Sequence, residues 1–395
     1  MAYLPPAQWT TRPGLAALTA ALGAERIRWV GGAVRDTLLG APVNDVDCAT
    51  VLTPDRVTQL CEGADIRIVP TGIDHGTVTA VLPDGPVEIT TLRRDVSTDG
   101  RRATIAFATD WRADAARRDF TINALYAHPE TLEISDWFDG LADLDARRVR
   151  FIGDARTRIA EDHLRILRYY RFQARFGSDL DNEAEDACAE LADTLKGLSR
   201  ERIGAEFLAL LVLPDPHATL ARMHDRAVLQ VILPECGEDE VAALSDLIEQ
   251  EKKHAIAPHP IRRLAALIPA KVPIAESVAA RMRLSKQQRA RLVSACGRSA
   301  SDVRDPRALA YRLGVPLALD RMLLLGADPA PIADWTPPVL PLKGGTIVAR
   351  GVAAGPQVAR ILKTVEERWI EEGFPPEDRV ATLLDEILAT GLQRY

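Results

Sequence analysis

The chain has no long apolar run. Nothing in its 395 residues approaches the roughly 20 consecutive apolar positions that a membrane-spanning helix needs, so no membrane is expected among its partners. The opening residues, Met1-Ala2-Tyr3-Leu4-Pro5-Pro6, lack the basic-then-apolar order of a signal peptide. Cysteine is sparse: five residues, at 48, 61, 188, 236 and 296, with no CxxC pair. That odd, scattered set argues against a zinc knuckle and against a disulfide framework, and it points to the cytoplasm. Internal repeats and low-complexity segments are missing too, and nothing implies a protein partner. What is present is ordinary for a globular protein: 47% hydrophobic and 27% charged residues, in a chain long enough for two or three domains.

Net charge is −7, which read globally disfavours a polyanion partner. The distribution reads differently. Arginines 147, 148, 150, 156, 158, 165, 168, 171 and 175 crowd one stretch that holds Asp154, Glu161 and Asp162 as its acids. A local basic tract is the relevant footprint for nucleic acid; a solvated helix face is the plainer alternative.

Residues 1–150 carry mixed signals. Ile27–Val30 reads as a short buried strand, Val34–Leu39 as the start of a helix and Asn44–Asp47 as the next strand. A helix over Pro54–Cys61 follows. Strands are expected at Ile66–Val69, at Thr77–Leu82 and, after an Asp84-Gly85 turn, at Pro86–Leu92. Arg93–Arg102 is polar with little periodicity, and Thr104–Phe107 makes one more strand. The sum is a head with a sheet of about five strands. From Ala155 onward apolar residues recur at helical spacing. Ile159, Leu164, Leu167, Tyr170 and Phe176 share one long helix with the basic tract, and further helices follow to Thr390. Five prolines between 329 and 341 mark a loop.

Three segments carry chemistry. In Gly31-Gly32-Ala33-Val34-Arg35-Asp36 a glycine turn opens a helix, so backbone N–H groups face outward where a phosphate can sit. In Asn44-Asp45-Val46-Asp47, alternation along a strand puts Asp45 and Asp47 on one face with Val46 toward the core. Two hard oxygen ligands beside a phosphate cradle suit Mg²⁺ and nucleotidyl transfer.

The second segment is Arg117-Arg118-Asp119-Phe120-Thr121-Ile122-Asn123-Ala124. Paired arginine forks match triphosphate oxygens. Asn123 can donate and accept at a sugar. Asp119 either orients an arginine or caps the following turn. The third is Glu161-Asp162-His163-Leu164-Arg165-Ile166-Leu167-Arg168-Tyr169-Tyr170-Arg171. On a helix Asp162 and Arg165 are neighbours, as are Glu161 and Arg165. Cytosine and adenine both present an amino donor beside a ring-nitrogen acceptor, so an Asp–Arg pair selects C and A over U and G. Arg168 and Arg171 either reach phosphates or hold that pair. Each segment alone has a plain structural reading: a turn, an ion-pair cluster, a helix salt bridge.

Together, in this order, the segments resemble the class II tRNA nucleotidyltransferases and their poly(A) polymerase relatives, most of all bacterial CCA-adding enzymes. The resemblance is dense over residues 25–210 and looser over Gly344–Gly355 and the helix after it. It implies an α+β fold: a polymerase-β-like nucleotidyltransferase head over 1–150, an all-α neck over 151–213 that selects the nucleotide, and an all-α body and tail over 214–395 that bind tRNA. It implies Mg²⁺ on Asp45 and Asp47, triphosphate contacts at Gly32 and Arg35, nucleotide contacts from Arg117 or Arg118, and base templating by Asp162 and Arg165 with Arg168 and Arg171 nearby. Glu88, in Val87-Glu88-Ile89-Thr90, matches the family's third carboxylate, which helps deprotonate the tRNA 3′-hydroxyl. Arg93–Arg102 matches a flexible loop that members adding only CC tend to shorten; here it is present, with Asp95, Asp99, Arg101 and Arg102. Ser97-Thr98 stands where an aromatic is often found, and Thr346 where an acid is common.

The expected activity is therefore addition of C, C and A to the tRNA 3′ end from CTP and ATP, with release of pyrophosphate. A poly(A) polymerase, or an enzyme adding only CC or only A, is the alternative with the same chemistry; the chain ends at Tyr395 without a basic extension, which favours CCA addition. A non-catalytic tRNA-binding module would have degraded acids, and Asp45, Asp47 and Glu88 are intact. His224-Asp225 lacks the histidine spacing of a phosphohydrolase metal site, since His217 stands only seven residues earlier, and reads as a polar contact.

Overall fold

The computed structural model describes residues 1–73, 76–99, 102–177 and 179–391, and of 94–99, 102–106 and 391 the backbone alone. The chain divides into two compact units, Met1–Pro234 and Glu235–Tyr395.

The first unit is built on strands β1 (Ile27–Val30), β2 (Val46–Thr50), β3 (Arg67–Gly72), β4 (Thr77–Leu82), β5 (Gly85–Thr91), β6 (Arg93–Asp99), β7 (Arg102–Phe107), β8 (Tyr126–Ala127) and β9 (Ile134–Ser135). Among the described residues one sheet runs β3-β4-β5-β2-β1-β8-β9, and β6 and β7 pair as a separate hairpin. Neighbours in the sheet are antiparallel except β2 and β5, which run parallel. The sheet thus has seven strands where about five were expected. The two additions, β8 and β9, are two residues each, too short to show a period of two. Of the stretch Arg93–Arg102, expected as a polar loop with little periodicity, Arg93–Asp99 and Arg102 enter the hairpin strands instead. Arg101 lies outside the described residues, as do the side chains of Asp95, Ser97, Thr98, Asp99 and Arg102.

Pairing order explains the head's shape. In β5 the residues Val87, Ile89 and Thr91 are buried while Pro86 and Glu88 face out, the alternation of a strand with one covered face. β2 begins at Val46, two residues later than expected, so Asp45 is the exposed residue just before the strand. Val46 is buried and Asp47 points the opposite way. The parallel register sets Asp47 beside Glu88.

Helices α1 (Pro13–Leu22), α2 (Gly32–Leu38), α3 (Pro54–Glu62), α4 (Trp111–Ala116) and α5 (Gly140–Asp145) flank the sheet sequence. Then come α6 (Ala155–Glu161), α7 (Arg165–Phe176), α8 (Asn182–Glu190), α9 (Arg200–Leu211), α10 (His217–Asp225) and α11 (Val228–Ile232). Side-chain caps start several of them: Asp110 for α4, Asp154 for α6, Asp181 for α8 and Ser199 for α9, each satisfying an orphan N–H.

The single long helix expected over the basic tract is broken. Asp162 is extended, φ −149° and ψ 104°, and its Oδ1 accepts from the Leu164 N–H at 3.1 Å. A short acidic side chain that bonds to nearby backbone competes with helix, and here it wins. The aromatic ring of Phe120 packs on Phe151 at 4.9 Å and on Phe172 at 5.3 Å, and Phe151 stacks on Tyr169 at 5.8 Å. These contacts weld the arginine-pair segment to α7, and each is worth about 0.5–1.5 kcal/mol beyond area burial.

The second unit is helical: α12 (Glu238–Lys253), α13 (Pro260–Ala266), α14 (Val272–Arg281), α15 (Lys286–Cys296), α16 (Pro306–Leu313), α17 (Val315–Leu324), α18 (Ala330–Ala333), α19 (Gly344–Ala349), α20 (Pro356–Glu371) and α21 (Glu377–Gly391). Ile347, Val365, Trp369, Ile370, Val380, Leu383 and Leu384 form the core under its last three helices. Between α12, α13 and α17 lies a buried ionic cluster in which Arg262 bonds Glu251 at 2.6 Å and Asp320 at 3.2 Å, and Arg263 bonds Glu251 at 2.7 Å. No described helix is long and apolar enough to cross a membrane.

Candidate active site

A cleft of about 340 Å³ in the first unit is lined by Val30, Asp47, Cys48, Glu88, Thr90, Arg93, Arg117, Arg118, Asp119, Asp162, Arg165 and Arg168. It gathers residues from all three chemical segments. Gly31 turns the chain from β1 into α2 at φ +66°, a left-handed conformation that favours glycine. A Cβ there would stand 3.4 Å from Arg118 Nη1 and 3.9 Å from Asp47 Oδ2, so the turn brings backbone, arginine and carboxylate to one point.

Asp47 is held above the usual carboxylate range. Burial is the main cause, Glu88 and Asp45 add repulsion, and Arg118 opposes both. A part-buried carboxylate repelled by two exposed ones is what a hard divalent cation relieves, so the donor chemistry fits such an ion. Among the described residues no three His, Cys, Asp or Glu side chains form a metal-holding group; the protein offers a partial ligand set that phosphate oxygens and water would complete.

The arginine pair sits at the end of α4. Arg117 Nε donates to Asp114 at 2.8 Å, and Arg118 Nε donates to the Tyr126 hydroxyl at 2.8 Å. The backbone carbonyls of the same two residues are gripped by the next segment: Arg165 Nη2 donates to the Arg117 carbonyl at 3.1 Å and Arg158 Nη2 to the Arg118 carbonyl at 2.7 Å.

Asp119 both orients an arginine and caps a turn. Its Oδ2 accepts from Arg168 Nε at 2.8 Å, and its Oδ1 accepts from the Phe120 N–H and Asn123 Nδ2, both at 2.9 Å. Burial works to raise its pKa, but Arg168 and these donors outweigh burial and hold it low.

Asp162 and Arg165 both line the cleft, but their side chains take different partners. Arg165 pairs with Glu161 at 2.6 Å, whereas Asp162 Oδ2 accepts from Arg202 of α9 at 2.8 Å. The helix break at Asp162 is the cause. Arg171 pairs with Glu206 of α9 at 2.5 Å and is not among the cleft-lining residues.

Arg35 and Asn123 differ most from expectation. Arg35 is only 5% exposed. Its Nη1 donates to Asn123 Oδ1 at 2.5 Å, its Nε to Asp36 at 2.9 Å, and it lies over the rings of Phe172 and Phe176. The two residues brace α2 against the arginine-pair segment from beneath. The basic tract is likewise engaged: Arg148, Arg150, Arg156, Arg158, Arg165, Arg168, Arg171 and Arg175 each have a carboxylate partner. His224 and Asp225 occupy the last turn of α10.

Asp114 and Arg202 were missed from sequence. Asp114 stands three and four residues before the arginine pair, a helical spacing that could have pointed to it. Arg202 is forty residues from Asp162, and no local signal joins them.

Sheet, glycine turn, carboxylates and arginine pair define a nucleotidyltransferase head. Comparison with known proteins agrees. Residues 27–150 match the Poly A polymerase head domain, and residues 178–239 match the family described as a probable RNA and SrmB-binding site of polymerase A. The chain is 34% identical over 390 residues to the mitochondrial CCA tRNA nucleotidyltransferase 1 of Mus musculus, covering 92% of this chain and 88% of that protein. It is 43% identical over 188 residues to the CCA-adding enzyme of Streptococcus thermophilus, covering 47% of this chain and 46% of that protein. The fold is similar to that of the Bacillus stearothermophilus CCA-adding enzyme in complex with CTP, with TM-score 0.73 and 22% identity over 97% of this chain and 100% of that one. It is also similar to the Thermotoga maritima CCA-adding enzyme complexed with tRNA, with TM-score 0.70 and 18% identity over 99% and 100%. The chain belongs to the class II tRNA nucleotidyltransferase and poly(A) polymerase family.

Proposed function

We propose that this protein adds C, C and A in turn to the 3′ end of tRNA, using CTP and ATP and no nucleic-acid template. One observation carries the reading: Asp47 and Glu88, the arginine pair, and Asp162 with Arg165 line a single cleft. A carboxylate site, a triphosphate site and a base-reading site are thereby within one nucleotide's reach.

The tRNA 3′-oxygen attacks the α-phosphorus, the new P–O bond forms, and the bond to the β-phosphate breaks to release pyrophosphate. Glu88 takes up the hydroxyl proton. Asp45 and Asp47 would hold Mg²⁺, which when bound neutralises phosphate charge and acidifies the attacking hydroxyl. The N–H groups at Gly31 and Gly32 face the phosphates, and Arg117 and Arg118 neutralise the charge that develops on them. Asp162 accepts from the base amino group while Arg165 donates to the ring nitrogen, which admits C and A. Arg168 keeps Asp119 in place, Arg171 fixes α7 to α9, and Arg35 and Asn123 support the glycine turn from below. In this reading residues 1–150 catalyse, 151–213 select the nucleotide, and 214–395 hold the tRNA. Five free, buried cysteines support a reducing compartment, and we take it to be the cytoplasm.

The test uses tRNA lacking its 3′ end with labelled CTP alone, ATP alone and both. Addition of C from CTP alone, followed by a single A when both are present, is expected. No incorporation of either nucleotide overturns the proposal. Long A tails would mark a poly(A) polymerase, and a stop after CC an enzyme of narrower product.

A further inference from the structure

We infer that Asp114 is the positioning residue of the arginine pair, acting with Tyr126 as its relay; this rests on the reading of Arg117 and Arg118 as nucleotide contacts. Asp114 is 1% exposed and is not part of the cleft lining, yet its carboxylate accepts from two cleft residues and pairs with a third. Oδ1 accepts from Arg117 Nε at 2.8 Å and from the Arg93 backbone N–H at 3.1 Å. Oδ2 accepts from the Tyr126 hydroxyl at 2.6 Å and lies 3.5 Å from Arg118 Nη2. Tyr126 in turn accepts from Arg118 Nε at 2.8 Å, with the guanidinium 5.1 Å over its ring.

The chemistry of each partner suits the task. Burial alone would raise the Asp114 pKa, but Arg117, Arg118 and Tyr126 outweigh it and hold the carboxyl below its usual range, so it is ionised at neutral pH. Burial raises the Tyr126 hydroxyl well above its usual range, so it stays protonated. It can therefore donate to Asp114 while accepting from Arg118, which phenylalanine cannot do. An arginine side chain has many rotamers to lose. Fixing both guanidiniums through Nε means that this ordering precedes nucleotide arrival. The same carboxylate pins Arg93, where the β6–β7 hairpin leaves the sheet, so the hairpin root and the arginine pair share one anchor.

The test is steady-state addition of C and A by the full chain carrying Asp114→Asn, Tyr126→Phe, Arg117→Ala with Arg118→Ala, and the combination of the first with the last. Asp114→Asn is expected to raise KM for CTP and ATP alike by about tenfold, with kcat little changed and the choice of C and A over U and G intact. Tyr126→Phe moves KM the same way by less, and covers the case in which Asp114→Asn folds poorly. In the double-alanine background Asp114→Asn adds little, because its effect passes through the arginines. A lower Tm or active fraction with unchanged KM overturns the inference, as do effects that simply multiply. If the double-alanine variant itself leaves KM unchanged, the nucleotide role of the pair fails and the inference fails with it. A KM raised by the alanines but unmoved by Asp114→Asn or Tyr126→Phe overturns the inference alone.

Discussion

Arginine–carboxylate networks occur in both units, and they are built to opposite ends. In the second unit Arg262 and Arg263 are 2% exposed, as is Glu251, and Asp320 is fully covered. Every charge there faces another, and only Arg291, which also pairs with Asp320, keeps as much as 21% of its side-chain surface exposed. Around the cleft the carboxylates Asp114 and Asp119 keep only 2% and 9% of their side-chain surface exposed, while their arginine partners Arg117, Arg118 and Arg168 keep 21–32%. The anion is the hidden anchor and the cation remains at the surface. A closed network can only hold helices together, whereas a half-open one can hold an arginine still and present it to a polyanion.

The comparison breaks most visibly at Asp47. Asp47→Asn is expected to lower turnover by at least about a thousandfold, since several kcal/mol of charge stabilisation go with the ligand at about 1.4 kcal/mol per tenfold. It should also raise Tm slightly. The raised pKa means that the folded state binds a proton more tightly than the unfolded chain, so stability falls as pH rises through that window, and the amide removes the repelled charge. Lost activity with an unchanged or lower Tm would contradict the burial and repulsion at Asp47.

Arg262→Met tests the closed network. It leaves Glu251 with Arg263 alone and Asp320 with the part-exposed Arg291, and should cost about 3 kcal/mol in denaturant unfolding. Nucleotide KM should be unchanged in the folded fraction. A KM change would mean that the two networks are not separate devices.

Asp162→Ala should erode the choice of C and A over U and G by about tenfold to a hundredfold, since a bidentate base contact is worth roughly 1–3 kcal/mol of discrimination. Misincorporation ratios measure it, and unchanged ratios would remove Asp162 from base reading.

The smallest effect belongs to His259, which bonds Arg291 at 2.6 Å. Burial and Arg291, with Arg262 behind it and Asp320 opposing, pull its pKa from 6.5 to about 4. Between those values the unfolded chain binds more protons, so stability should fall as pH drops through the window. The fall should be shallower in His259→Asn, and equal slopes would remove His259 from the account.

Much of the head was legible because its signals are local. Thr77–Leu82 alternates cleanly, and β4 has those bounds. The Gly31 turn, β1 and α3 follow from short runs of residues. The positions of Arg35 and Asn123 were not legible, because burial depends on what covers a residue: here Phe172 and Phe176, more than 130 residues from Arg35 along the chain. Asp162 shows the same limit. Periodicity continued straight through it, and the break came from its own side chain taking the Leu164 N–H while Arg202 took the other oxygen.

The sequence by itself determined the chemistry available: two aspartates one residue apart, an arginine pair, an Asp-x-x-Arg, and the glycine that lets backbone meet them. Those are properties of residue type and short spacing. Tertiary structure decided which of these groups meet and which are hidden. The parallel register of β2 and β5 set Glu88 beside Asp47, and the fold turned Arg35 inward while leaving Arg117 and Arg118 at the cleft. The reason is physical: a side chain's charge is intrinsic, but its solvation and its partners are set by whatever distant segment packs against it.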